Sequence, residues 1–402
     1  MEAGMERAKP KPTEEAALAA AVSSVLGDDD LLREILLLLG FPTTLVRAAL
    51  VCRRWLRVAS HPDFLRRFRD LHPPRLLGFY LTSNNTFWMR RPVDFVPMAP
   101  QPPELAVVLQ RGSFSLDIYE GPTMVIRDCL NGNVFFTIYH PAGNSFTHGV
   151  HTPLHPTRGL VTVPDITTKY DRNRKCLGNL LFRESGDGLS CFWFLFIYKV
   201  EGAELCLYML QDGVWRMLDS ATTDLHNAPP RARYNLLVED RIYIAVAMTS
   251  ILVWDLASST LSTIMLPDGV HNKGNILLSR ADGSGVYLVH LKELQLCIWL
   301  LSGSNGSIGD WFLVDTICLR DMCSNLRISN STTGNNGTSC VLLNAVGDNA
   351  EFVFLNNHRS VFYLDVKSRA VHKVYEMTEA DQLGCQIIPC MMTWPPTFPS
   401  LK

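Results

Sequence analysis

Residues 241–264, RIYIAVAMTSILVWDLASSTLSTI, align without gaps on residues 351–374, EFVFLNNHRSVFYLDVKSRAVHKV. Ile242 falls on Phe352, Ile244 on Phe354, Ile251 on Val361, Asp255 on Asp365, Ser258 on Ser368 and Ile264 on Val374. Val286 to Val289 and Leu296 to Leu300 fit the same template, which sets Trp299 against Trp254. Each copy reads as an inner strand, a loop, a second strand ending near an Asp, a Ser-containing turn and a third strand. One such sheet cannot bury both of its faces. Repetition every 40 to 50 or so residues buries them by radial stacking, so a β-propeller is expected. One or two β-sandwiches use the same strand lengths and turns and remain the alternative.

The texture of short β-rich runs between Gly, Asn, Asp and Pro turns extends from Phe79 onward, about 320 residues, enough for about six to eight blades at that period. Asn133 to Tyr139 follows an Asn-Gly turn, and Leu205 to Leu210 with Val214 to Leu218 flanks Gln211-Asp212-Gly213, both hairpin patterns. Residues 302–338, rich in Asn, Ser and Gly around Trp311 to Val314, read as an elongated blade or an inserted loop. Met391 to Trp394 is apolar enough to be a closing strand paired near Phe79.

Before this region the period changes. Residues 26–68, LGDDDLLREILLLLGFPTTLVRAALVCRRWLRVASHPDFLRRF, carry Asp28, Asp29 and Asp30 at a helix start, then Leu32, Ile35, Leu36 and Leu39 as an apolar stripe ended by Gly40. Pro42 opens a second helix with Leu45, Ala49 and Cys52 on one face; Trp55, Leu56 and Val58 follow, and Pro62 restarts a helix bearing Phe64 and Phe68. So small a unit has more apolar side chains than it can bury alone, which points to a docking surface; packing onto the rest of the chain is the plainer alternative. The organisation is therefore multidomain, α plus all-β: a disordered tail over 1–22, a helical domain over 23–71, a proline-bearing linker over 72–78 and the propeller-like domain over 79–402.

Leu26, the acidic pair, Leu-Leu, Glu34-Ile35-Leu36, Leu45, Val51-Cys52-Arg53-Arg54-Trp55 and Pro62-x-Phe64 together resemble an F-box, especially those of grass proteins. Two departures stand out: Gly27 replaces the proline usual after the first leucine, and one extra residue lies between Leu26 and Glu34. Pro73-Pro74-Arg75-Leu76-Leu77-Gly78-Phe79-Tyr80 and the chain's ending resemble plant F-box proteins with an associated propeller. The resemblance implies a Skp-family adaptor bound through Leu26, Leu32, Ile35, Leu36, Leu45, Val51, Cys52, Trp55 and Leu56. It also implies a cullin-RING ubiquitin ligase behind that adaptor, and a target protein, not identifiable here, held by the propeller.

The remaining residues point to no chemistry of their own. Hydrophobic residues make up 47% and charged ones 19%, and a net charge of −2 leaves no global pull toward nucleic acid or anionic membrane. The arginines between Arg47 and Arg69 share their segment with carboxylates and lack an aromatic platform, so a solvated face or an acidic adaptor suits them better than nucleic acid. No apolar run approaches bilayer-spanning length. The 11 cysteines show no CxxC pair and no signal peptide precedes them, so free thiols in cytoplasm or nucleus are expected, and Asn84, Asn305, Asn330 and Asn336 read as turn residues. Nucleophile-elbow, HExxH, P-loop and dinucleotide motifs are absent. His148, His151 and His155, with His140 upstream, invite a metal reading but sit in what reads as a Pro/Gly loop without an orienting carboxylate, so no metal or other cofactor is expected. Cys318 with Cys323 and Cys385 with Cys390 read as strand thiols, Asp255 and Asp365 as turn hydrogen-bonders, and Arg172, Arg174 and Lys175 as a solvated basic loop. A non-catalytic substrate receptor is the leading expectation. A non-degradative scaffold on the adaptor, and a propeller enzyme or carbohydrate binder with a helical appendage, remain the alternatives.

Overall fold

The computed structural model describes residues 14–72, 75–83, 94–117, 119, 123–140, 145–155, 161–163, 176–185, 188–199, 201–224, 235–245, 247–282, 285–302, 309–320, 322, 341–357, 359–378, 385–394, 396 and 398. Asn84, Asn305, Asn330, Asn336, Arg172, Arg174, Lys175 and Cys323 lie outside them. The chain divides into two units, residues 1–75 with 391–402, and residues 76–390. Among the described residues no helix is long and apolar enough to cross a membrane.

In the larger unit the strands assemble into six antiparallel sheets, a six-bladed β-propeller. Five sheets are sequential four-stranded meanders: β3 (Thr123–Leu130), β4 (Asn133–His140), β5 (Ser145–His151) and β6 (Val161–Val163); β7 (Cys176–Ser185), β8 (Gly188–Lys199), β9 (Gly202–Gln211) and β10 (Val214–Thr223); β11 (Asn235–Val238), β12 (Arg241–Ile244), β13 (Ser250–Asp255) and β14 (Thr260–Met265); β15 (Ile276–Arg280), β16 (Val286–Lys292), β17 (Gln295–Ser302) and β18 (Asp310–Cys318); and β19 (Val341–Val346), β20 (Phe352–Asn357), β21 (Ser360–Asp365) and β22 (Val371–Glu376). The remaining sheet joins distant parts of the chain, in the order β2 (Asp94–Pro97), β1 (Leu76–Ser83) and β23 (Cys385–Met391).

The first strands of successive meanders lie side by side from β3 to β19, and the Ile387 N–H of β23 donates to Asn344 Oδ1 of β19 at 2.7 Å, closing the ring. Burial follows this layout. All but the last residue of β13 are buried, whereas the outermost β10 carries only half-buried and exposed residues, and so does β18 apart from Ile317. Sheets pack on one another through Phe135 stacked on Phe182, Phe194 against Trp254 and Phe79 against Phe354.

The repeat read from the sequence corresponds to these blades, with one correction. Its three strands are the second, third and fourth of each meander, and β11, β15 and β19 precede them as the innermost strands. Trp311 to Val314 belongs to β18, the fourth strand of an ordinary blade, while 303–308 and 323–340 lie outside the described residues. The Asn131-Gly132 and Asp212-Gly213 hairpins form as expected, with φ of 51°, 75°, 52° and 75°. The closing strand is Cys385–Met391 rather than Met391 to Trp394.

The smaller unit contains α1 (Glu14–Gly27), α2 (Asp29–Leu37), α3 (Pro42–Ala49), α4 (Arg53–Ala59) and α5 (Pro62–Leu71). The tail expected over 1–22 overlaps α1 from Glu14, because Glu-Glu-Ala-Ala-Leu-Ala-Ala-Ala is a run of strong helix formers. Its side chains from Ala16 to Val25 are exposed. Leu32, Leu36, Leu45, Ala49, Phe64 and Phe68 form the core of this unit, and Trp394 and Phe398 pack against it.

Candidate functional site

The helical unit is held by polar contacts that the sequence only half announces. Asp28 caps α2, its Oδ1 accepting the N–H groups of Asp30 at 2.8 Å and Leu31 at 3.1 Å. Asp29 has a different partner: Arg54 Nε donates to its Oδ1 at 2.6 Å, which holds the Asp29 carboxyl below its usual range. The same guanidinium donates through Nη1 to Leu26 O at 2.7 Å and through Nη2 to Gly27 O at 2.6 Å, satisfying carbonyls that the last turn of α1 leaves open. Gly27 is therefore part of a built junction, and a Cβ added there would meet no atom within 4 Å.

The expected adaptor contacts separate by burial. Leu32 and Leu45 are 0% exposed and Leu36 is 1% exposed, and these three belong to the unit's own core. Their burial has a simple physical origin: a forty-residue helical unit needs its most regular apolar stripe for itself. Leu26, Ile35, Trp55 and Leu56 are half-buried, while Val51 is 64% exposed and Cys52 is exposed. Cys52 also does not continue α3. That helix ends at Ala49, and Cys52 stands at the start of α4 with extended backbone and no side-chain cap bond.

Sequence reasoning missed Leu31, Leu38 and Leu50, all exposed, with Leu38 at 82%. The signal was present. Leu31, Ile35 and Leu38 recur at i, i+4 and i+7, a second apolar stripe beside the buried Leu32, Leu36 and Leu37. One stripe faces the core and its neighbour faces out. Leu38 caps the end of α2, and Leu50 and Val51 lie in the turn that follows α3, so the exposed leucines and valine gather at helix ends. Around them, Arg67 pairs with both Glu34 oxygens at 2.6 and 3.1 Å, tying α5 to α2.

Of the histidines weighed for a metal site, His140, His148 and His151 each set a ring nitrogen beside a polar partner. His140 ends β4, and His148 and His151 lie buried in β5; only His155 is in the loop where the sequence placed them all. His151 Nε2 lies 2.6 Å from Ser113 O and its Nδ1 2.7 Å from the Tyr119 hydroxyl, and burial lowers its pKa toward the neutral ring. Thr137 Oγ1 lies 3.0 Å from His148 Nδ1, and Thr147 Oγ1 lies 2.9 Å from His140 Nε2. Among the described residues no group of three or more His, Cys, Asp or Glu is placed to hold a metal ion. Cys318 is exposed and Cys390 buried. Asp255 and Asp365 shape turns as expected: Asp255 Oδ1 accepts the N–H groups of Ala257 and Ser258, and Asp365 Oδ1 accepts that of Ser368 at 2.7 Å.

Comparison with known proteins follows the same division. Residues 29–72 match the F-box-like family, and residues 125–398 match the family described as F-box protein AT5G49610-like, beta-propeller. No curated protein matches the chain. Among solved structures, the extracellular domain of BT4673 from B. thetaiotaomicron shares 11% identity over 64% of this chain and 29% of that one, with a TM-score of 0.33. A functionally unknown protein from Desulfotomaculum acetoxidans shares 12% over 78% and 99%, with a TM-score of 0.40. A protein from Lactobacillus plantarum shares 10% over 77% and 99%, with a TM-score of 0.39. The chain thus spans under a third of the first of these, and at such TM-scores none of the three carries an argument about this protein. The propeller match covers well over half of the 402 residues and the F-box-like match covers the helices that precede it, so the chain belongs to the F-box proteins with an AT5G49610-like β-propeller.

Proposed function

We propose that this chain is the substrate-recognition subunit of a Skp-cullin-F-box ubiquitin ligase. Its helical unit binds a Skp-family adaptor, and its propeller binds a target protein. The observation that carries the reading is the stripe along α2 and its cap, exposed Leu31, half-buried Ile35 and exposed Leu38, on a unit that matches the F-box-like family. The contact is then Leu31, Ile35, Leu38, Leu50, Val51 and Cys52 at the centre, with the half-buried Leu26, Trp55 and Leu56 beside them. Leu32, Leu36 and Leu45 support it from beneath.

The mechanism is proximity. The chain supplies no nucleophile or base; it raises the effective concentration of target lysines near a charged ubiquitin-conjugating enzyme. Such a receptor works in the cytoplasm or nucleus, where free thiols persist, and needs neither metal nor cofactor.

The test compares the intact chain with Leu31→Asp/Leu38→Asp in capture of purified Skp-family adaptor. Burying two charges in an apolar contact should weaken capture at least roughly tenfold without shifting the thermal transition, since both positions are exposed. Equal capture by both proteins, or none by the intact chain, overturns the reading.

A further inference from the structure

Trp394 was expected in a closing strand. Instead, the strand ends at Met391, and Trp394 stacks on Phe68 of α5 with ring centroids 5.8 Å apart and planes 6° from parallel. Phe398 joins it against the same helical core, and the Met392 N–H donates to Arg75 O at 2.9 Å. The segment after the last strand thus belongs to the helical unit, as its grouping with residues 1–75 also shows.

A continuous path leads from this segment to the outward stripe. Phe68 lies against the His72 ring at 4.8 Å, and His72 Nε2 lies 2.7 Å from Leu37 O. A carbonyl can only accept, so Nε2 carries the proton and donates to the last turn of α2. Leu38, the most exposed large apolar residue of α2 and its cap, is the next residue along the chain. Trp394 fixes Phe68 from one side, Phe68 and His72 hold each other, and His72 holds the carbonyl beside Leu38.

We infer that Trp394 and Phe398 are positioning residues of the adaptor-docking surface: the docking unit is built from two separate chain segments, and the second sets the Leu38 end of α2. This rests on the proposed adaptor reading for its partner but not for its geometry.

The experiment uses the full chain, Trp394→Ala/Phe398→Ala, Trp394→Phe, and a chain ending at Met392, which keeps the closing strand. Hydrogen exchange is read at the Leu38 and Leu39 amides, which donate to Ile35 O and Leu36 O at 3.2 Å each. Exchange there should quicken roughly tenfold in the double variant and the shortened chain, with the amides of β13 unchanged. Trp394→Phe, which keeps a stacking ring, should restore protection. Adaptor affinity should fall about tenfold in parallel, and the loss should not add to that of Leu38→Asp, because both act on one edge. Unchanged exchange at Leu38 and Leu39, or a loss of affinity fully additive with Leu38→Asp, overturns the inference. Normal exchange effects with no adaptor bound by the intact chain would instead overturn the adaptor reading and leave the positioning role standing.

Discussion

Ser259 and Arg369 occupy equivalent places in two blades and share a left-handed backbone, with φ of 52° and 61°. The repeat alignment identified the Asp and Ser of this turn from side-chain chemistry. It could not identify the conformation of the residue just after that Ser, because neither Ser nor Arg advertises a positive φ as glycine does. The two positions should respond differently to the same change. Ser259→Gly relieves the strain and should stabilise the propeller by about 0.5 kcal/mol in denaturant titration, the gain being reduced by the added freedom of the unfolded chain. Arg369→Gly should gain nothing, because Arg369 Nη2 donates to Asp315 Oδ1 at 2.6 Å and that contact would be lost. Within the helical unit, Leu36 illustrates the opposite limit of legibility. Its period and identity were plain in sequence, yet whether it served core or partner depended on burial.

At the scale of elements, β10 and β18 carry the same device. Each outermost strand has a bulge, at Leu218 and at Val314, followed by an Asp that accepts the N–H of the next residue, Ser220 at 2.8 Å and Thr316 at 2.7 Å. The carboxylate then reaches the next blade: Asp219 Oδ2 accepts from Trp254 Nε1 at 3.0 Å, and Asp315 from Arg369. Trp254 is fully buried, so Asp219→Ala leaves its indole N–H without a partner and should cost about 1–3 kcal/mol in thermal or denaturant unfolding followed by tryptophan fluorescence. Asp219→Asn keeps an acceptor and should cost less. The second latch is sensitive to acid. Arg369 and the Thr316 N–H hold the Asp315 carboxyl below its ordinary value, so its contribution is present above the unfolded carboxylate pKa, about 3.9, and is lost as pH falls through the lower folded value. Arg369→Ala should therefore lose stability near pH 7 and differ progressively less from the parent below about pH 4. A constant difference across that range, measured by urea titration at each pH, contradicts the latch.

For the whole molecule, the two units draw on both ends of the described chain. Strand β23 closes the propeller beside β1, and Trp394, three residues beyond that strand, enters the helical core. Leu36→Ala opens a cavity in the helical core and should destabilise that unit by roughly 2–5 kcal/mol. Calorimetry should show its transition moving down while the propeller transition stays in place; a single shifted transition would mean that the two units unfold as one. Adaptor capture by Leu36→Ala should recover at temperatures where the helices remain folded, unlike that of Leu31→Asp/Leu38→Asp, which removes the proposed contact itself.

The amino-acid sequence by itself determined the division into a helical F-box-like part and a propeller, the strand-turn-strand repeats with their Asp turns, and the Asn-Gly and Asp-Gly hairpins. The helices, turns and hairpins follow from local spacing and backbone preference, which a short window contains; the propeller rests on repeats 110 residues apart and the F-box-like character on the resemblance of a composite motif. Only the tertiary structure decided that the innermost strands precede the repeat, that six blades close through β23, and that Leu32, Leu36 and Leu45 face inward while Leu31 and Leu38 face out. It alone placed Trp394 against Phe68. Each of those outcomes depends on which elements meet across long stretches of chain, and two adjacent apolar stripes on one helix are indistinguishable until the rest of the core claims one of them.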